Sequence, residues 1–132
     1  MRSLKHDNIV NFIDVFESTT DNDENIYIVM ELMNTTLHEI LKSRGPLTEQ
    51  ESFQIFESIV KGVDHCHKNG IIHFDLKPQN ILVRLDQFSG KIADVKLSDF
   101  GLSRKCDEYL FGGLDTLGTI YYFAPEMLKL NK

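Results

Sequence analysis

Apolar positions along the chain fall into short runs and one long periodic segment, separated by polar turns. Ile9 to Phe16 is apolar-rich and ends in the polar stretch Glu17 to Asn25, before a second apolar run, Ile26 to Leu32. Two short runs around a polar turn predict a β-hairpin, with Asp21, Asp23 and Glu24 read as solvated turn acids. Leu37 to Leu41 reads as a short helix closed by Gly45-Pro46, a pair that breaks helical geometry. From Thr48 to Asn69 the pattern is helical. Thr48 and Glu51 make a capping box that satisfies two backbone donors at the helix start. Phe53, Phe56, Val60, Val63 and His67 then recur at spacings of three and four, drawing one apolar stripe. Gly70, after Asn69, suits a C-terminal cap. Ile71-Ile72, Ile81-Leu82-Val83 and Val95-Lys96-Leu97 are apolar or β-branched runs that read as strands. Residues 102–123 have little periodicity and gather glycine and hydroxyl residues around Gly112-Gly113 and Thr116 to Thr119. A long irregular segment between ordered ones is usually functional or disordered.

Composition narrows the possible partners. A length of 132 residues suits one domain with a single core. The net charge of −6 argues against non-specific nucleic-acid binding, which rests on Lys and Arg neutralising phosphates. It leaves room for one or two cations in a nucleotide pocket. No apolar run approaches the roughly 20 residues needed to cross a bilayer, and Met1 to Asp7 holds no apolar stretch of signal-peptide type. Cys66 and Cys106 make no disulfide framework, so the expected setting is a reducing intracellular one, the cytoplasm. Asn34-Thr35-Thr36 fits a glycosylation sequon, which without a secretory signal reads as chance.

The candidate chemistry lies in His73-Phe74-Asp75-Leu76-Lys77-Pro78-Gln79-Asn80. This loop crowds an acid, a base, a cation and an amide between two apolar strands, and buried polar groups must be paired or hydrated. A second acid, Asp99, precedes Phe100-Gly101. Asn80 and Asp99 offer the hard oxygen ligands that magnesium prefers. Asp75 can accept a hydroxyl proton, and Lys77 can stabilise a moving phosphoryl group. Metal, base and positive charge are the parts that phosphoryl transfer requires. His65-Cys66-His67, with His73 nearby, has zinc-ligand residue types but not the spacing of a finger.

These segments resemble the middle of a eukaryotic protein kinase domain of the Ser/Thr type. His73 to Asn80 is similar to the catalytic loop H-R-D-L-K-P-x-N, Asp99-Phe100-Gly101 to D-F-G, and Ala124-Pro125-Glu126 to A-P-E. The resemblance covers essentially the whole chain. It implies an α+β, partial kinase-like fold, with residues 1–33 the end of the small lobe and hinge and 34–132 the start of the large lobe. It implies ATP and Mg2+ as cofactors and a Ser/Thr-bearing protein as substrate, with no nucleic acid and no membrane insertion. Asp75, Lys77 and Thr119 become the catalytic residues, with Thr119 hydrogen-bonding the Asp75–Lys77 pair. Asn80 and Asp99 become the metal ligands. Met30 becomes the gatekeeper, Glu31 and Met33 offer backbone groups to adenine, and Leu82 packs under its ring. Phe12, His73 and Phe100 are expected to stack as part of an internal spine.

The departures carry information too. Phe74 stands where many kinases carry an arginine, and Arg84 to Asp94 looks like an inserted polar turn. The resemblance begins after the glycine-rich loop, the strand lysine and its helix glutamate, and stops just past Glu126, so Met1 reads as an internal methionine. An active phosphotransferase, a pseudokinase-like nucleotide-binding scaffold and a non-functional fragment all remain open, and the 132 residues alone are expected not to transfer phosphate. Thr116 is a candidate loop phosphosite, and Asp115 beside it could supply permanent charge. A phosphate orders a loop mainly by pairing with arginine, and Phe74 removes the usual partner. Thr116→Ala in the full-length enzyme is therefore expected to cost less than about tenfold in activity. A rate assay checks this; collapse rescued by Thr116→Glu would contradict it.

Overall fold

The computed structural model describes residues 4–20, 23–106 and 118–129, so Asp21, Gly112, Gly113, Asp115 and Thr116 lie outside the described residues. The chain forms an α+β arrangement. Strands β1 (Phe12–Thr20) and β2 (Asp23–Met30) pair antiparallel as a hairpin, with a register shift between Phe12 and Asp14. The expected hairpin thus starts three residues later than its apolar run. Ile9 is drawn off to bridge Leu97 in parallel instead.

Strand β3 (Thr35–Thr36) leads directly into helix α1 (Leu37–Arg44), for which the Thr36 side chain caps Glu39 N–H and Gly45, at φ +78°, terminates the last turn. Helix α2 (Glu49–Lys68) starts on the capping box of Thr48 and Glu51 and ends at Asn69. Gly70 then takes φ +68°, the left-handed conformation that favours glycine. Strand β4 (Ile71–Ile72) pairs with β7 (Arg104–Lys105). Strands β5 (Ile81–Leu85) and β6 (Ile92–Leu97) belong to a three-stranded sheet in the order β3-β5-β6, with β5 in the middle. Arg84 and Asp94 are cross-strand partners inside this hairpin, so the polar turn is the shorter stretch Asp86 to Lys91. Near the end, helix α3 (Pro125–Lys129) follows a single 3-10 turn, Ile120–Tyr122.

The core forms where α2 packs on the inner face of β5–β6. Ile81 and Val83 alternate with Leu82 and Arg84, and Val95 and Leu97 face the same interior. From α2, Ile55, Gly62 and Cys66 are buried, with Ile59 and Val63 packed against them. The stripe picked out by spacing lies largely elsewhere. Phe53, Phe56 and Val60 are exposed, so α2 carries two apolar faces and only one meets the sheet.

Residues 8–10 run beside β6 and tie the small hairpin to the larger sheet. Val10 N–H donates to the Leu97 carbonyl, Leu97 N–H to the Asn8 carbonyl, and Asn8 Nδ2 to the Val95 carbonyl. Gly62 lies directly beneath, where an added Cβ would come within 2.8 Å of both the Asn8 carbonyl oxygen and Leu97 Cδ1. Gly62→Ala would gain about 1 kcal/mol of helix propensity. Overpacking costs about 1–3 kcal/mol, and the carbonyl it meets is already held by Leu97 N–H. Net destabilisation of up to about 2 kcal/mol is expected, read as a lower urea midpoint at constant slope.

Candidate functional site

The loop joining β4 to β5 turns through Phe74 at φ +64°, a conformation that costs a non-glycine residue about 1–2 kcal/mol. Such strain persists only where the surroundings over-determine it. His73 before it and Asp75 after it are buried at 4% and 5% exposure. Both Asp75 oxygens are occupied. Thr119 Oγ1 donates to Oδ1 at 2.7 Å, and Lys77 Nζ and Asn80 Nδ2 donate to Oδ2 at 2.5 and 2.9 Å. Lys77 Nζ also reaches Thr119 Oγ1 at 2.9 Å, which closes a ring of contacts. Burial of Asp75 opposes its ionisation, but the bonds from Lys77, Thr119 and Asn80 outweigh it and hold the carboxyl below its ordinary range.

Asp99 is positioned by backbone contacts. Ser98 directs both its N–H and its hydroxyl to the Asn80 carbonyl, at 2.9 and 3.0 Å. His73 Nε2 donates to the Ser98 carbonyl at 2.9 Å, while Nδ1 accepts the Asp75 N–H at 3.2 Å. One ring nitrogen donates and the other accepts, which fixes a neutral imidazole with its proton on Nε2. Asp99 then adopts φ +58°, the second non-glycine residue in the left-handed region, and accepts the Gly101 N–H. Asn80 directs its amide nitrogen to the Asp75 carbonyl and carboxylate. Its amide oxygen, the hard donor, is thereby turned away from Asp75.

Thr119 reaches Asp75 because Gly118 passes over the loop in contact. Gly118 has φ +111°, and a Cβ there would lie 2.3 Å from the Phe74 carbonyl oxygen. A pocket of about 190 Å³ opens beside Asp75, lined by Phe74, Leu76, Thr119, Tyr122 and Phe123.

The protein-kinase-domain family model matches residues 1–132. This chain belongs to the protein kinase family. Among its relatives, mitogen-activated protein kinase HOG1 of Arthrobotrys oligospora is 40% identical over 128 residues, 97% of this chain and 33% of that protein. Mitogen-activated protein kinase 4a of Physcomitrium patens is 36% identical over 129 residues, covering 97% of this chain and 32% of the relative. Cyclin-dependent kinase 7 of Dictyostelium discoideum is 33% identical over 129 residues, 97% of this chain and 33% of its own length. The chain spans about a third of the length of the curated relatives it matches.

The kinase segment brings Asp75, Lys77, Asn80 and Thr119 into one network, with Asp99 attached through Ser98. Met30 ends β2 and is exposed; Met33 and Leu82 are half-buried. Glu31 is anchored on both sides, with its N–H on the Asn11 carbonyl and its carboxylate on Asn11 N–H and Lys96. Of the expected spine, His73 and Phe100 have ring centroids 4.7 Å apart, and Phe12 is half-buried at the start of β1. Cys66 is a core residue and His65 stacks on His6, so both take packing roles. Among the described residues no helix is long and apolar enough to cross a membrane. Sequence reasoning missed Ser98 and Lys96, each of which acts through a partner far along the chain.

Burial lowers the His73 pKa, and the Ser98 carbonyl, Asp75 and Asp99 only partly restore it. A histidine with a folded value below its ordinary 6.5 takes up its proton first when unfolded. Its contribution to stability is complete above that value and is lost as the pH falls below it. Asp75, also depressed, acts in the same direction at lower pH. Urea midpoints are expected to fall from about pH 6.5 downward, with a slope of at most about 1.4 kcal/mol per pH unit from His73. His73→Gln is expected to remove that part of the slope.

Proposed function

We propose that the protein is a serine/threonine protein kinase, with residues 1–33 forming the end of the small lobe and hinge and 34–132 the start of the large lobe. The observation that carries this reading is the Asp75 carboxylate, buried yet held ionised by Lys77, Asn80 and Thr119. A capping or turn acid has no need of three side-chain partners in the interior. Lys77 followed by Pro78 in the loop, and Gly118-Thr119 ahead of Ala124-Pro125-Glu126, suit the Ser/Thr type. Protein substrates bearing Ser or Thr, a cytoplasmic setting and use of ATP with Mg2+ belong to the same reading.

ATP would bind with its adenine against the backbone of Glu31 and Met33, beside Met30 and over Leu82. The Asn80 amide oxygen and the Asp99 carboxylate have the donor chemistry for magnesium. Magnesium, when bound, neutralises and orients the phosphates. The acceptor hydroxyl enters the pocket beside Phe74, Leu76 and Tyr122 and meets Asp75. Its oxygen attacks the γ-phosphorus as the bond to the β-phosphate oxygen breaks, and its proton passes to Asp75. A carboxylate held below its ordinary pKa is a weak base, so its main contribution is alignment of the hydroxyl. That is enough for a loose transition state in which proton transfer is not the main barrier. Lys77 stabilises the charge on the transferring group, and Thr119 keeps Asp75 and Lys77 in register.

Asp75→Asn in the full-length protein is expected to lower turnover by about 10²-fold or more while ATP still binds, because the amide no longer aligns the hydroxyl or takes its proton. Wild-type turnover in this variant would refute the assignment. Asp99→Ala is expected to abolish the magnesium dependence of nucleotide binding, checked by titration with and without the metal.

A further inference from the structure

The ion pair between Lys96 and Glu31 takes no part in the transfer step described above. Lys96 lies on β6 directly across from Leu82 on β5. Directly opposed residues of an antiparallel pair project from one face. That face points away from the core, because Ile81, Val83, Val95 and Leu97 occupy the buried one. Lys96 Nζ reaches both Glu31 carboxylate oxygens, at 2.7 and 2.9 Å. The two side chains are only 14% and 26% exposed. By contrast, the exposed helix pairs Lys61–Glu57 and Lys68–Asp64 belong to a class that contributes little.

Glu31 is where the chain leaves β2 for the larger sheet, and it is tied there on three sides. Its N–H donates to the Asn11 carbonyl at 3.0 Å, Oε1 accepts the Asn11 N–H at 2.6 Å, and Lys96 holds both oxygens. Burial opposes ionisation of Glu31, but the bonds from Lys96 and Asn11 outweigh it and lower its pKa. The ammonium of Lys96, which stands across from Leu82 on the same sheet face, thus ties the residue that follows β2 to the three-stranded sheet.

We propose that Lys96 is a positioning residue for adenine recognition: by gripping the Glu31 carboxylate it fixes the backbone from Glu31 to Met33 at a set height over Leu82. The inference rests on the nucleotide reading above, which assigns the adenine to that backbone. A merely structural pair would change stability and leave the response to nucleotide uniform. A positioning pair affects the adenine end and spares the phosphate end, which is held by other residues.

The test uses the full-length protein with ATP as substrate and magnesium tripolyphosphate, which lacks adenine, as competitive inhibitor. Lys96→Met is expected to raise KM for ATP about tenfold, with kcat within about threefold of wild type. The inhibition constant of tripolyphosphate stays unchanged. Lys96→Arg restores KM, because a guanidinium can bind the same carboxylate through two bonds. Glu31→Gln, which keeps an acceptor for Asn11 N–H, reproduces Lys96→Met and serves if that variant fails to fold. Unchanged KM in both charge-removing variants overturns the inference, as does an equal loss of tripolyphosphate binding or failure of Lys96→Arg to restore KM. Wild-type protein that binds no ATP refutes the nucleotide reading itself. Wild-type protein that binds ATP no better than both variants overturns the Lys96 inference alone.

Discussion

The Asn80 carbonyl accepts both the N–H and the hydroxyl of Ser98, and the placement of both acidic loops follows from that double bond. It joins the start of β5 to the end of β6, so the loop before β5 and the loop after β6 leave the sheet side by side. His73 adds a second tie by donating to the Ser98 carbonyl. The hairpin beneath supplies the rigidity: Val83 and Leu97 are among its fully buried side chains, and α2 packs closely enough to require Gly62. Chemistry built on the ends of such a sheet is held more tightly than chemistry on free loops.

On that base the two loops carry local strain. Phe74 and Asp99 are both in the left-handed region without being glycine, and each neighbours or forms part of the polar cluster. The cost is met by contacts that a relaxed backbone would not make, since Asp75 accepts from Lys77, Asn80 and Thr119 and Asp99 accepts the Gly101 N–H. Removing one partner of a buried charge leaves the other uncompensated. The network therefore favours docking of Gly118 and Thr119 on the loop, with Gly118 as the point of contact that brings Thr119 to Asp75.

Features that depend on neighbours in sequence were legible from the sequence. The capping box at Thr48, the stop at Gly70 and the crowded loop from His73 to Asn80 all reside within a few residues. The apolar spacing of α2 identified a helix but not its buried face. Phe53 and Phe56 dominate the pattern, while the face that packs is built around Gly62 and Cys66, which weigh little in any hydrophobic reading. Strands β3 and β7, Thr35–Thr36 and Arg104–Lys105, are short and polar and exist only through pairing with distant partners. The Lys96–Glu31 pair spans 65 positions and depends on the register of β5 with β6, which no local pattern encodes. Thr119 was foreseen through the family resemblance, because 44 positions separate it from Asp75.

The central claim is that the buried, ionised Asp75 aligns a serine or threonine hydroxyl for attack on the γ-phosphate. The most direct measurement is to incubate the full-length protein with γ-labelled ATP, magnesium and a protein acceptor, then identify the labelled amino acid. The account predicts label on phosphoserine or phosphothreonine. Label found only on tyrosine, or released only as inorganic phosphate, would contradict it.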